Sequence, residues 1–147
     1  MIGKVFATVL CLAACGICFA RQEETLPQLM AKADAASGGQ QADLCMQVAE
    51  REMKLAIEAF SKNKSEDGRS ALEQITDYAG KGHSAAIQSG KHLKHTEIKL
   101  RQVSEHLRDL KANADPDDQP VVQATIDKLE AYRTELLKSM FGSRSHD

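Results

Sequence analysis

The stretch that decides the fold runs from Leu72 to Ala114 and reads LEQITDYAGKGHSAAIQSGKHLKHTEIKLRQVSEHLRDLKANA. Within it Leu72, Ile75, Ala79, Gly82, Ala86, Ser89, Leu93, Thr96, Leu100, Val103, Leu107, Leu110 and Ala114 follow one another at alternating steps of three and four residues. A seven-residue rhythm held this long keeps one side of a helix against other helices. No proline interrupts it. The chain is therefore predicted to be all-α, with elongated antiparallel hairpins around one long central helix over about 66–113. At ~1.5 Å per residue that helix would be about 70 Å long.

The seam is uneven. Leucine, isoleucine and valine fill its ends, while Ala79, Gly82, Ala86 and Ser89 form a small-residue middle. Glycine weakens a helix interior by about 0.5–1 kcal/mol relative to alanine, and Gly80, Gly82 and Gly90 all lie here. A break near Gly80–Gly82 or near Gly90 gives the alternative architecture, an up-down four-helix bundle. Either way, the seam Leu72, Ile75, Ala79, Gly82, Ala86, Ser89, Leu93, Leu100, Val103, Leu107 and Leu110 is the candidate surface for a partner helix, from another protein or a second copy.

The flanks are helical too. Thr25-Leu26-Pro27-Gln28 has the form of a capping box with proline in the first turn, opening a helix over about 25–36. Cys45, Val48, Ala49, Met53, Ala56, Ile57 and Phe60 form the stripe of a second helix over about 41–63. The loop from Asp115 to Pro120 carries strong turn chemistry. A last helix follows over about 118–141, with Val122, Ile126, Leu129, Tyr132, Leu136, Leu137 and Met140 in its stripe and Gly142 as its stop. Residues 21–142 then form one helical domain and 143–147 a flexible tail. The hairpin from Ala49 to Ala79, AEREMKLAIEAFSKNKSEDGRSALEQITDYA, resembles one tetratricopeptide unit in layout. It lacks that repeat's tryptophan, glycine and proline positions and shows no second copy in the sequence, so the resemblance implies an antiparallel helix pair and no more.

The N-terminus speaks to location. Lys4 precedes Val5–Ala20, an uncharged apolar run ended by Arg21. This is the pattern of a secretory signal peptide over 1–20, and the run is shorter than the ~18 residues a membrane-spanning helix needs. Cutting before Arg21 yields a periplasmic or secreted protein with no transmembrane span. The alternative is a lipobox, Leu12-Ala13-Ala14-Cys15-Gly16, which would acylate Cys15 and anchor the chain. Cys15 and Cys18 have no strand or following histidine to make a redox or haem site. Only Cys45 survives removal of the signal, so no internal disulfide is expected.

Without residues 1–20 the chain keeps 18 basic and 21 acidic residues, a net charge of −3. Against that balance, Gly90–Arg101 (GKHLKHTEIKLR) is locally cationic: Lys91, Lys94, Lys99 and Arg101 face the single acid Glu97. Such a run suits an envelope polyanion. Nucleic acid is excluded on this reading, because no aromatics interleave with the charges. His92 and His95 share a helix face and are weak metal candidates; no set of three or four ligand spacings accompanies them, and no metal or cofactor is expected. No nucleophile elbow, phosphate loop or H-E-x-x-H occurs. The expectation is a non-catalytic helical interaction or structural protein exported to the bacterial envelope. The alternatives are polyanion binding through Lys91–Arg101 and a metal-binding helical bundle.

Overall fold

The structure, a computed structural model, describes residues 23–142. The signal segment, Cys15 and the tail beyond Gly142 lie outside those residues. Five helices follow one another: α1 (Leu26–Ala35), α2 (Gly38–Ser61), α3 (Ser65–Ser89), α4 (Leu93–Asn113) and α5 (Gln119–Phe141). The described residues contain no strand, and the all-α class holds. At the first helix the capping box forms: Thr25 N–H donates to Gln28 Oε1 at 3.0 Å, and Gln28 N–H donates to Thr25 Oγ1 at 3.4 Å.

The single helix over 66–113 does not form. The helix stops at Ser89, Gly90 turns into the left-handed region at φ +65°, and His92 follows at φ +60° before α4 begins. Gly80 and Gly82 stay inside α3. Two left-handed residues within three reverse the chain, and only glycine takes that conformation without steric cost. The three-four rhythm survives the reversal because both helices turn their stripes to one shared core. Leu72, Ile75, Ala79 and Ala86 are buried on one side of the corner, and Leu100, Val103, Leu107 and Leu110 on the other.

The helices pair as hairpins, α2 antiparallel to α3 and α4 antiparallel to α5. The hairpins stack with like helices running the same way. Asp43 meets His92 and Glu50 meets Lys99, which sets α4 along α2. Ser65 and Arg69 meet Asp118, and His83 meets Tyr132, which sets α5 along α3. The short α1 lies antiparallel on α2, where Gln41 Nε2 donates to the Ala33 carbonyl and Arg51 donates to the Glu24 carbonyl. It covers a small second core of Leu29, Ala33, Cys45, Val48 and Tyr78.

Burial repeats along the chain at a distance of 54 residues. Met46 and Leu100, Ala49 and Val103, Met53 and Leu107, and Ala56 and Leu110 are buried pairs of α2 and α4. In α3 and α5 the pairs are Leu72 with Ile126 and Ile75 with Leu129. Gly38 and His92, also 54 apart, both open a helix at positive φ, +59° and +60°. The hairpin that the sequence offers once, over 49–79, is therefore built a second time over 103–133. Of these pairs none is identical, and the one identical core-facing match in this register is Tyr78 with Tyr132. The side chains differ while the packing positions match.

Candidate functional site

The seam expected to receive a partner helix is consumed inside the chain. A Cβ on Gly82 would lie 2.8 Å from Met46 Cε, 3.0 Å from Cys45 Cβ and 3.3 Å from the Ala42 carbonyl oxygen. That is α2 occupying the small-residue middle at backbone distance. Ser89 and Leu93, at the corner, are half-buried. No open seam remains for another helix among the described residues.

What stays open is the opposite face of α3. Glu73, Thr76, Asp77, Gly80, Lys81, Ser84 and Gln88 recur at helical spacing and form the floor of a groove of about 760 Å³. Val121, Thr125 and Tyr132 of α5 make one wall, and Gln41 of α2 closes the far end. Side-chain contacts tie α3 to α5 on either side of the groove. Ser65 Oγ and Arg69 hold the Asp118 carboxylate at 2.7–3.1 Å at one end. At the other, the His83 and Tyr132 rings stack with centroids 4.9 Å apart. His83 Nε2 also lies 2.9 Å from Glu135 Oε2, but out of line for a hydrogen bond, so that contact is electrostatic and needs a protonated ring. Gly80 lets the Tyr132 hydroxyl approach, since a Cβ there would sit 2.9 Å from it.

Charge in the groove is unequal. Lys81 Nζ sits 3.1 Å from Asp34 Oδ1 and 3.2 Å from Asp77 Oδ2, and 4.3 Å above the Tyr78 ring. Burial works against its charge, but the hydrogen bonds to Asp34 and Asp77 outweigh it and hold the ammonium up at about 12. Lys81 is thus bound by two carboxylates, while Glu73 stands exposed on the floor with no ion pair among the described residues. The Thr76 and Thr125 hydroxyls return to the Leu72 and Val121 carbonyls of their own helices.

The cationic run is divided by the fold. Lys99 pairs with Glu50 at 2.8 Å. Arg101 stands 4.0 Å from Glu97, whose carboxylate already accepts two hydrogen bonds from Arg133 at 2.6 and 3.0 Å. Lys91 and Lys94 remain exposed at the α3–α4 corner. His92 Nδ1 is 2.8 Å from Asp43 and its ring lies over Gly39, while His95 Nε2 is 3.8 Å from Asp43. Among the described residues no three histidine, cysteine or acidic side chains converge as a metal-ligand set. Burial pushes the Cys45 thiol up to about 11, so it is protonated and a poor nucleophile at neutral pH. No described helix is long and apolar enough to cross a membrane.

Sequence reasoning gave weight to the inward stripe of α3 and to its basic continuation; it passed over Thr76, Gly80, Ser84 and Tyr132 as a shared surface. The polar stripe opposite the seam was the available signal, but nothing in it shows that α5 would stand beside α3. No protein-family model matches the chain, and no curated protein or solved structure matches it either.

Proposed function

We propose that the protein is an exported, non-catalytic interaction module that holds a basic segment of a protein partner along the outer face of α3. The observation that carries this reading is the groove itself. It spans Leu72 to Gln88, about 24 Å of helix at ~1.5 Å per residue, which is room for three or four helical turns of a partner or a shorter extended strand. Glu73 and Asp77 line the groove beside one ammonium, Lys81, whose charge Asp34 also meets, so a lysine- or arginine-bearing segment complements the surface. Small floor residues allow close approach to the helix backbone. Export rests on Lys4 and the apolar run Val5–Ala20. The mass of the protein recovered from the cell envelope separates a cut before Arg21 from an acylated Cys15.

The binding test is a titration of isotope-labelled protein, followed by NMR, with a lysine-rich helical peptide and its glutamate counterpart. The basic peptide is expected to move the amide signals of Thr76, Gly80, Ser84 and Gln88. The change Glu73→Lys together with Asp77→Lys should weaken binding by about tenfold, in line with a loss of near 1.4 kcal/mol. Equal responses to both peptides, or shifts centred elsewhere, reject the groove as the binding face.

A further inference from the structure

We propose that the pocket between α2 and α3 around Glu52 binds a small organic amine, a primary ammonium on a short alkyl stem. Glu52 stands on the wall of a cavity of about 340 Å³ that the two helices line together, a volume at the small end of ligand sites. The residue is only 6% exposed. Among the described residues its carboxylate has no hydrogen-bond or ion-pair partner, and burial alone pushes its pKa up. A buried carboxylate without a partner costs stability, and a glutamine of the same shape would carry no such charge. Placed on a cavity wall, the charge has a use that packing does not give it.

The rest of the wall sets the ligand's chemistry. Leu55, one turn from Glu52, is 45% exposed, and Ala59 and Ala71 are buried against the same cavity, so an alkyl stem has apolar surface to lie on. Ser70 and Gln74 of α3 add oxygen acceptors, and an ammonium has three protons to place. The pocket's own cations do not meet this need. Lys62 is bound to Glu58 and stands ten residues from Glu52, about 15 Å along the helix. Lys64 follows it in the turn beyond α2. An anionic ligand would meet Glu52 as a like charge, so the carboxylate also selects against it. No residue of this pocket lines the groove along the outer face of α3, and the two sites stand or fall separately.

Titration of the isotope-labelled protein with n-butylammonium chloride, followed by NMR, tests this, with 1-butanol and sodium chloride as controls for the stem and the salt. The expected result is one saturable site, with shifts at the amides of Glu52, Leu55, Ala59 and Gln74 that neither control reproduces. Glu52→Gln, which keeps the shape and removes the charge, should weaken binding about tenfold or more, and Leu55→Ala should weaken it to a lesser degree. Glu52→Asp, which withdraws the carboxylate from the cavity, gives the same readout should Glu52→Gln fail to fold. Equal responses to the amine and to butanol, shifts that do not saturate, or a Glu52→Gln variant that binds like the parent overturn the proposal. Shifts centred on Thr76 to Gln88 overturn it as well and place the amine in the groove. A lysine tripeptide that binds more tightly than the free amine overturns it in favour of a docked side chain from a protein.

Discussion

The two hairpins solve one packing problem with different side chains. In the first, Ala42, Ala49 and Ala56 on α2 stand with Ala79, Gly82 and Ala86 on α3, and the helices close until a backbone carbonyl lies 3.3 Å from where a Gly82 Cβ would be. In the second, the matching positions hold Thr96, Val103 and Leu110 on α4 and Arg133, Leu136 and Met140 on α5. Small residues gain stability from close backbone contact, large ones from apolar area removed from water, at about 25 cal/mol per Å². A change harmless in one hairpin is therefore damaging in the other. The largest effect should come from truncation in the second: Leu129→Ala, at a side chain with no exposure, is expected to cost about 3–4 kcal/mol in chemical denaturation. A loss under 1 kcal/mol there would mean that the second hairpin is not filled as described.

The converse change sharpens the contrast. Gly82→Leu writes the second hairpin's residue (Leu136) into the first and should destabilise by about 2–3 kcal/mol despite leucine's better helix propensity. Ala42 O cannot swing aside as a flexible side chain would. Calorimetry showing a neutral or stabilised Gly82→Leu would break the close-approach account. A smaller effect separates the hairpins by polarity. The second replaces Ala79 by Arg133, which donates to Glu97 at 2.6 Å and to Glu130 at 2.8 Å. Arg133→Ala leaves Glu97, whose side chain is 12% exposed, with only Arg101 at 4.0 Å, and about 2 kcal/mol should be lost. Arg133→Met combined with Glu97→Leu should recover most of it, because a partly buried ion pair is roughly balanced by its own desolvation. A double variant no better than the single one would give the pair a net stabilising role.

Much of this architecture was legible. The rhythm from Leu72 to Leu110 named residues that are buried except at the corner, where Ser89 and Leu93 are half-buried, and Gly90 was one of the two places where the alternative to a single helix put a break. What the rhythm could not decide was whether the helix continues, since a reversal at Gly90–His92 leaves both stripes in phase with a common core. The structural repeat was hidden for a physical reason: Met46 and Leu100, or Gly82 and Leu136, satisfy one position with different volumes, so the sequence shows a hairpin once. The groove was illegible because it belongs to no single helix. It needs Tyr132 beside Gly80, a distance of about fifty residues in sequence, and polar floor residues look the same on any solvated face. The cationic run was legible as a run, but Glu50 and Asp43, which pair with Lys99 and His92, approach it only through tertiary packing.

The smallest predicted effects concern pH, and they carry opposite signs in the two places where charge meets the packed core. Asp118 ties the second hairpin to the first, and hydrogen bonds from Ser65 and Arg69 hold its carboxyl below the usual range. A depressed carboxyl contributes stability that is present above the ordinary aspartate value, about 3.9, and is lost as pH falls through the folded value. Glu52, buried in the first hairpin, is pushed up by desolvation, so its ionised form weakens the fold at neutral pH and acidification relieves the strain. Asp118→Asn should therefore flatten the acid limb of the stability curve below about pH 4, while remaining less stable than the parent at pH 7. Glu52→Gln should do the reverse, more stable than the parent at pH 7 with the advantage closing as pH drops through the raised glutamate value. Chemical denaturation across that range reads both, and curves that move in the same direction would show that these two carboxyls do not play opposed parts in holding the hairpins together.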